Sequence, residues 1–145
     1  MALVFSLVTT REHRVEPLTW VCPVTRRAEA TGGANPWAPT DRIEVETPGW
    51  VLLTASITLL RVPDQLRNVP IGVFFDTGDG WPANVIDTRV PFAPSHLLNA
   101  DVPVTLQFYL PAKTVARVGV YNPLKSKFFT IQPNSTIRAI VTGFD

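Results

Sequence analysis

Cysteine is almost missing from this chain of 145 residues: Cys22 stands alone. A single thiol excludes an intrachain disulfide and any metal site built from several thiolates, and its plain role is that of a small apolar side chain. Histidine is nearly as scarce, and with only His13 and His96 a multi-histidine metal centre is excluded too. Charge is thin, at 17% of residues with a net of +1. Phosphate backbones are held by a clear basic excess, so nucleic acid is not expected as a partner. Arg outnumbers Lys ten to three, a bias that suits planar pairing at interfaces but that base composition of a genome also produces. No stretch approaches the roughly 18 apolar residues that cross a bilayer, so no membrane association is expected. The opening run from Met1 to Val8 lacks a basic leader and a small-residue cleavage site, which makes it a first strand rather than a secretion signal.

What the chain does have is proline and apolar surface. Hydrophobic residues make up 46% of it and proline occurs fourteen times. Between Pro48 and Pro133 few spacings exceed twelve residues. Proline inside a helix costs about 3 kcal/mol, so long helices do not fit this punctuation, whereas short strands do. The apolar content argues against general disorder, and the length is that of one domain spanning residues 1–145.

Alternation supplies the strands. In Val104 to Leu110, Val104, Leu106, Phe108 and Leu110 share one face. Ala116, Val118 and Val120 do the same in Thr114 to Tyr121, and Ile137, Ala139 and Val141 in Thr136 to Thr142. Trp50 to Val62 is the longest β-prone run, with Val51, Leu53, Ala55, Ile57 and Leu59 on one face, hydroxyls in the middle of the other, and the features of a central strand. Further strands are expected at residues 1–10, 42–46, 71–75, 81–90 and 128–131, the last four runs of the chain pairing antiparallel as a meander or Greek key. Residues 63–70 and 91–103 are expected to be connections. The fold class is therefore all-β, an antiparallel β-sandwich of about eight short strands, jelly-roll-like. Residues 25–41, rich in Gly, Pro, Ala and Thr, are expected to form a long loop or arm. Trp37 lies in its middle, and packs either on its own domain or on a partner chain or ligand.

Candidate chemistry is weak. Asp76-Thr77-Gly78-Asp79-Gly80 offers two carboxylates for calcium, yet lacks the closing Glu of a calcium loop and reads as a tight turn. Ser95-His96, near Asp87 and Asp101, lacks the strained setting of a nucleophile. Asn134-Ser135-Thr136 matches a glycosylation acceptor and also a turn. No catalytic residues, no metal and no cofactor are expected, and the chain is read as a non-enzyme. Apolar residues on both faces of several strands instead favour burial against other chains. Tyr109, Arg117, Tyr121 and Arg138, with Val115 and Ile140 among them, are expected to share a face of the C-terminal sheet. Together with Trp37 they form the expected interface.

The strand-and-loop plan, most specifically Leu110-Pro111-Ala112 through Gly143 with its runs VARVGVYN and STIRAIVTG, resembles the small jelly-roll and decoration-type structural proteins of bacteriophage virions. The resemblance implies a symmetric homo-oligomer, a trimer favoured, that binds a capsid surface in the virion and stabilises it, with arms reaching onto neighbours. It carries over no individual residue. The alternative is a carbohydrate-binding or adhesion β-sandwich module, in which Trp37, Trp50, Trp81 or Tyr109 would stack on sugar.

Overall fold

The computed structural model describes residues 3–28, 42–63, 66, 68–76, 83–91 and 99–142, with the backbone alone for 83–91 and 99–100. Twelve strands follow in chain order: β1 (Leu3–Thr9), β2 (His13–Val15), β3 (Trp20–Val21), β4 (Thr25–Arg27), β5 (Ile43–Glu44), β6 (Gly49–Leu60), β7 (Asn68–Asp76), β8 (Ala83–Pro91), β9 (Asn99–Leu110), β10 (Val115–Tyr121), β11 (Phe129–Ile131) and β12 (Thr136–Thr142). No helix occurs among the described residues, and no helix is long and apolar enough to cross a membrane.

The strands form two antiparallel sheets, of seven and five strands. In the larger sheet β6 is central. It pairs along its whole length with β9, from Gly49 opposite Leu110 to Leu60 opposite Asn99. Its other edge takes β12 and then β11, end to end. Beyond these lie β1, β4 and β2. In the smaller sheet β10 pairs with β7 on one side and with β3 and β5 in tandem on the other, and β8 closes the far edge of β7. Consecutive long strands mostly cross between sheets: β6 to β7, β8 to β9, β9 to β10 and β10 to β11 all change layer. The C-terminal runs thus do not pair with one another as a meander. Each inserts beside an earlier strand, the Greek-key connection of a jelly roll.

The core sits between the layers and is built by the alternation. Buried positions in β6 are Val51, Leu53, Ala55, Ile57 and Leu59, in β9 Val102, Val104, Leu106, Phe108 and Leu110, and in β10 Ala116, Val118 and Val120. Ile71 and Val73 of β7 and Phe5 and Leu7 of β1 complete the same cluster. Each such Val, Leu, Ile or Phe side chain, fully buried, contributes about 1.5–3 kcal/mol. The period of two breaks at the end of β6. Arg61 has φ 60°, so Val62 turns back into the core at 5% exposure rather than joining the outward row its parity assigns.

Four expected boundaries shift. The connection at 91–103 ends earlier, because β9 begins at Asn99 and runs through Pro103. Pro103 is tolerated there because β9 pairs only with β6 among the described strands, which leaves an edge where the missing N–H can face away from the ladder. β7 likewise begins at Asn68 and contains Pro70, which lies beyond the last residue paired with β10. The strand expected at 42–46 is reduced to Ile43–Glu44. The arm at 25–41 begins inside the sheet, since Thr25–Arg27 pairs with Leu7–Thr9 and the Ala28 N–H donates to the Ser6 carbonyl at 2.8 Å; residues 29–41 lie outside the described residues.

Turns between strands are pinned by side chains. Asn134, with φ 66°, turns β11 into β12. Behind it the Ser135 hydroxyl donates to the Gln132 carbonyl at 2.9 Å and accepts from the Thr58 N–H at 3.0 Å, while the Thr9 hydroxyl donates to the same carbonyl at 2.8 Å. The Asn134-Ser135-Thr136 triplet is therefore a turn whose serine is 1% exposed.

Candidate functional site

The outward face of the seven-stranded sheet assembles from residues that strand pairing sets opposite one another. Its first row is Tyr109, Trp50 and Thr142, its second Gln107, Leu52, Ile140 and Val4. The third is Thr105, Thr54, Arg138 and Ser6, and the fourth Pro103, Ser56, Thr136, Val8 and Arg26. Trp50 is 57% exposed, Tyr109 46% and Leu52 39%. The indole and phenol rings meet edge to face, centroids 5.6 Å apart at 71°. One end of the face is thus aromatic and aliphatic, and its middle is hydroxyl-rich with one guanidinium. A shallow depression of about 430 Å³ occupies that middle, lined among others by Ser6, Val8, Thr54, Ser56, Thr136 and Arg138.

The outward face of the five-stranded sheet is different, because over its described part, on β3, β10 and β7, the chain packs aromatic rings on itself. Trp20 of β3 lies edge-on to Phe74 of β7, centroids 5.0 Å apart, and against Tyr121 of β10 at 5.1 Å. Phe74 is consequently 9% exposed. Space for its ring comes from Gly119, where an added Cβ would lie 2.6 Å from Phe74 Cε2 and 3.1 Å from Cys22 Sγ. Burial under this cluster pushes the Cys22 thiol up to about 11, against a smaller opposing pull from Arg117. Packing beside Phe74 and Gly119 together with this upward shift disfavours the thiolate, which suits a packing role for Cys22. Arg117 lies 3.6 Å from the Asp76 carboxylate across the β10–β7 register.

The expected interface residues therefore separate. Tyr109, Arg138 and Ile140 share the open face of the seven-stranded sheet. Val115, Arg117 and Tyr121 stand on the opposite side of the sandwich, in the five-stranded sheet, because β10 belongs to the other layer from β9 and β12. Trp37 lies outside the described residues, as do Thr77 to Gly80 and Ser95-His96. Trp50, expected from sequence only as a sugar-stacking ring, and Leu52, not expected at all, also belong to the open face. Their parity is legible in the alternation of β6; their position opposite Tyr109 and Ile140 depends on register between strands far apart in the chain. No cluster of three His, Cys, Asp or Glu side chains occurs among the described residues.

By sequence, no family model and no curated protein matches this chain. Solved structures do match by shape. The structure of an Eiger TNF from S. frugiperda aligns over 98% of this chain and 93% of its own, with TM-score 0.59 and 13% identity. Murine APRIL aligns over 98% and 100%, with TM-score 0.57 and 12% identity. The globular domain of zebrafish complement 1qA protein aligns over 98% and 98%, with TM-score 0.55 and 8% identity. At such identities the likeness is one of fold, and the fold is the jelly-roll β-sandwich.

Proposed function

We propose that this chain is a non-enzymatic, self-associating module whose seven-stranded sheet packs against copies of itself in a symmetric oligomer. The observation that carries the proposal is the contrast between the two outer faces. Among the described residues of the five-stranded sheet, Trp20, Phe74 and Tyr121 pack on one another and partly or wholly cover their rings. The seven-stranded sheet leaves Trp50, Tyr109 and Leu52 exposed together, with Ile140 and Val4 in the adjoining row. Contiguous apolar surface of this kind marks an interaction site, and Trp and Tyr are the side chains most often found at the energetic centre of one. A trimer is the favoured stoichiometry. Its place in the virion, as a decoration or minor capsid protein bound to a capsid surface, rests on the resemblance of the C-terminal strand-and-loop plan to phage decoration proteins. The solved structures named above support the jelly roll alone.

The second reading is a carbohydrate-binding module. Two adjoining exposed rings beside a hydroxyl-lined depression favour it, since sugars stack on aromatics and bond to hydroxyls. Light scattering on the purified chain separates the two. A stable oligomer across micromolar concentrations supports self-association; a monomer that binds a glycan array replaces it with sugar recognition.

A further inference from the structure

The open face holds few charges. Arg138 lies at its centre, between Thr54 of β6 and Ser6 of β1. Neither neighbour can compensate a guanidinium, and Arg138 has no ion pair or hydrogen bond among the described residues. Asp101 lies on the same face at its border, on β9, opposite Thr58, whose hydroxyl donates to its carboxylate at 2.8 Å. Arg26 lies at the other border on β4, and its guanidinium donates to the Arg27 carbonyl at 3.1 Å. Arg14, toward β2, is paired with Glu16 and stacked on Phe128, 3.5 Å from the ring centroid.

Arg138 and Asp101 cannot meet within one subunit. Thr54 and Thr58 are four residues apart on β6, about 13 Å, and the two charged residues flank β6 on opposite sides, about 10 Å across, which separates them by about 16 Å. Burying this face against a copy strips water from a central guanidinium, and a buried charge without a partner is expensive. Every subunit brings the same one central base and the same border acid, so a closed symmetric assembly satisfies both by setting the base of one copy against the acid of the next. Asp101 is placed for this, because it lies exposed on β9 at the border of the face, and among the described strands β9 pairs only with β6.

We infer that Arg138 of one subunit pairs with Asp101 of an adjacent copy, and that this contact selects the register of self-association. The inference rests on the oligomer proposed above and deepens it by naming the contact. Charge complementarity at an interface suppresses wrong registers as well as adding affinity. It also explains an arginine at the centre of a patch whose other side chains are hydroxyl, amide and apolar.

The test is charge reversal on the full chain, read by sedimentation equilibrium. Arg138→Asp and Asp101→Arg each raise the concentration at which the oligomer dissociates by at least about tenfold, and combining both returns it to within about threefold of the unaltered protein. Both side chains are exposed in the single subunit, so circular dichroism of each variant stays unchanged. Asp101→Asn checks that the loss of charge, not of the Thr58 hydrogen bond, is responsible, and gives an intermediate weakening. If the unaltered chain is a monomer throughout, the oligomer reading fails and the pairing with it. If it is an oligomer but the double variant stays as weak as the single ones, or Arg26→Asp rescues Asp101→Arg instead, the oligomer stands and the Arg138–Asp101 pair is overturned.

Discussion

Trp50 and Tyr109 are 59 positions apart in sequence yet face each other directly across the β6–β9 register, rings edge to face with centroids 5.6 Å apart. Both project away from the core. The single subunit gains little from them beyond their mutual contact, about 0.5–1.5 kcal/mol.

Replacing the pair by Trp50→Ala and Tyr109→Ala should therefore leave the fold intact and act on association. At an oligomer interface the loss is at least about 2 kcal/mol, read as a rise in dissociation concentration by sedimentation equilibrium. Should the rings serve a sugar site instead, the mass stays the same and glycan binding disappears.

Asn122 is fully buried, and both N–H groups and the oxygen of its amide are hydrogen-bonded. Nδ2 donates to the Val15 carbonyl at 3.0 Å and to the Lys127 carbonyl at 2.8 Å, and Oδ1 accepts from the Leu124 N–H at 2.9 Å. It thereby ties the end of β10 to β2 of the other sheet. Asn122→Ala strands three backbone groups and should cost about 2–4 kcal/mol in urea unfolding. Asn122→Asp keeps the shape but loses both donated bonds, so a cost well below that of alanine would argue against this account.

Gly119 is required by the close approach of the Phe74 ring. Gly119→Ala should destabilise by about 1–3 kcal/mol through overpacking. Phe74→Leu added to it should recover part of that loss, giving a positive coupling in a double-mutant cycle of thermal unfolding. In the same cluster Cys22, with its thiol raised to about 11, should resist aromatic disulfide reagents at pH 8 and react only as the protein unfolds.

His13 Nε2 accepts a hydrogen bond from the Val24 N–H at 3.1 Å, which requires the neutral ring. Burial, and secondarily the charge of Arg11, lower its pKa from the ordinary 6.5. The unfolded chain then binds the proton more readily than the folded one. This contribution to stability is complete above about pH 6.5, declines as pH falls through the lowered folded value, and is lost below it. The melting temperature of the unaltered protein should drop more between pH 7 and pH 5 than that of His13→Gln. Equal drops in the two proteins would remove His13 as the cause.

The class of fold was determined by the sequence itself. Proline spacing excluded long helices, and alternation in Val51 to Leu59, Val104 to Leu110 and Ile137 to Val141 named the core residues that the structure buries. These are local properties, because side-chain direction in a strand depends only on parity. Partnership was decided by the tertiary structure. Two strands of like composition, β10 and β12, fall in different layers, and this alone separates Val115, Arg117 and Tyr121 from Tyr109, Arg138 and Ile140. Neither run contains anything that says which earlier strand it will join, since any alternating strand can pair with any other. The choice is made by the summed packing of both layers. It also brings Phe74 and Trp20 over one outer face while leaving the other, with Trp50 and Tyr109, uncovered.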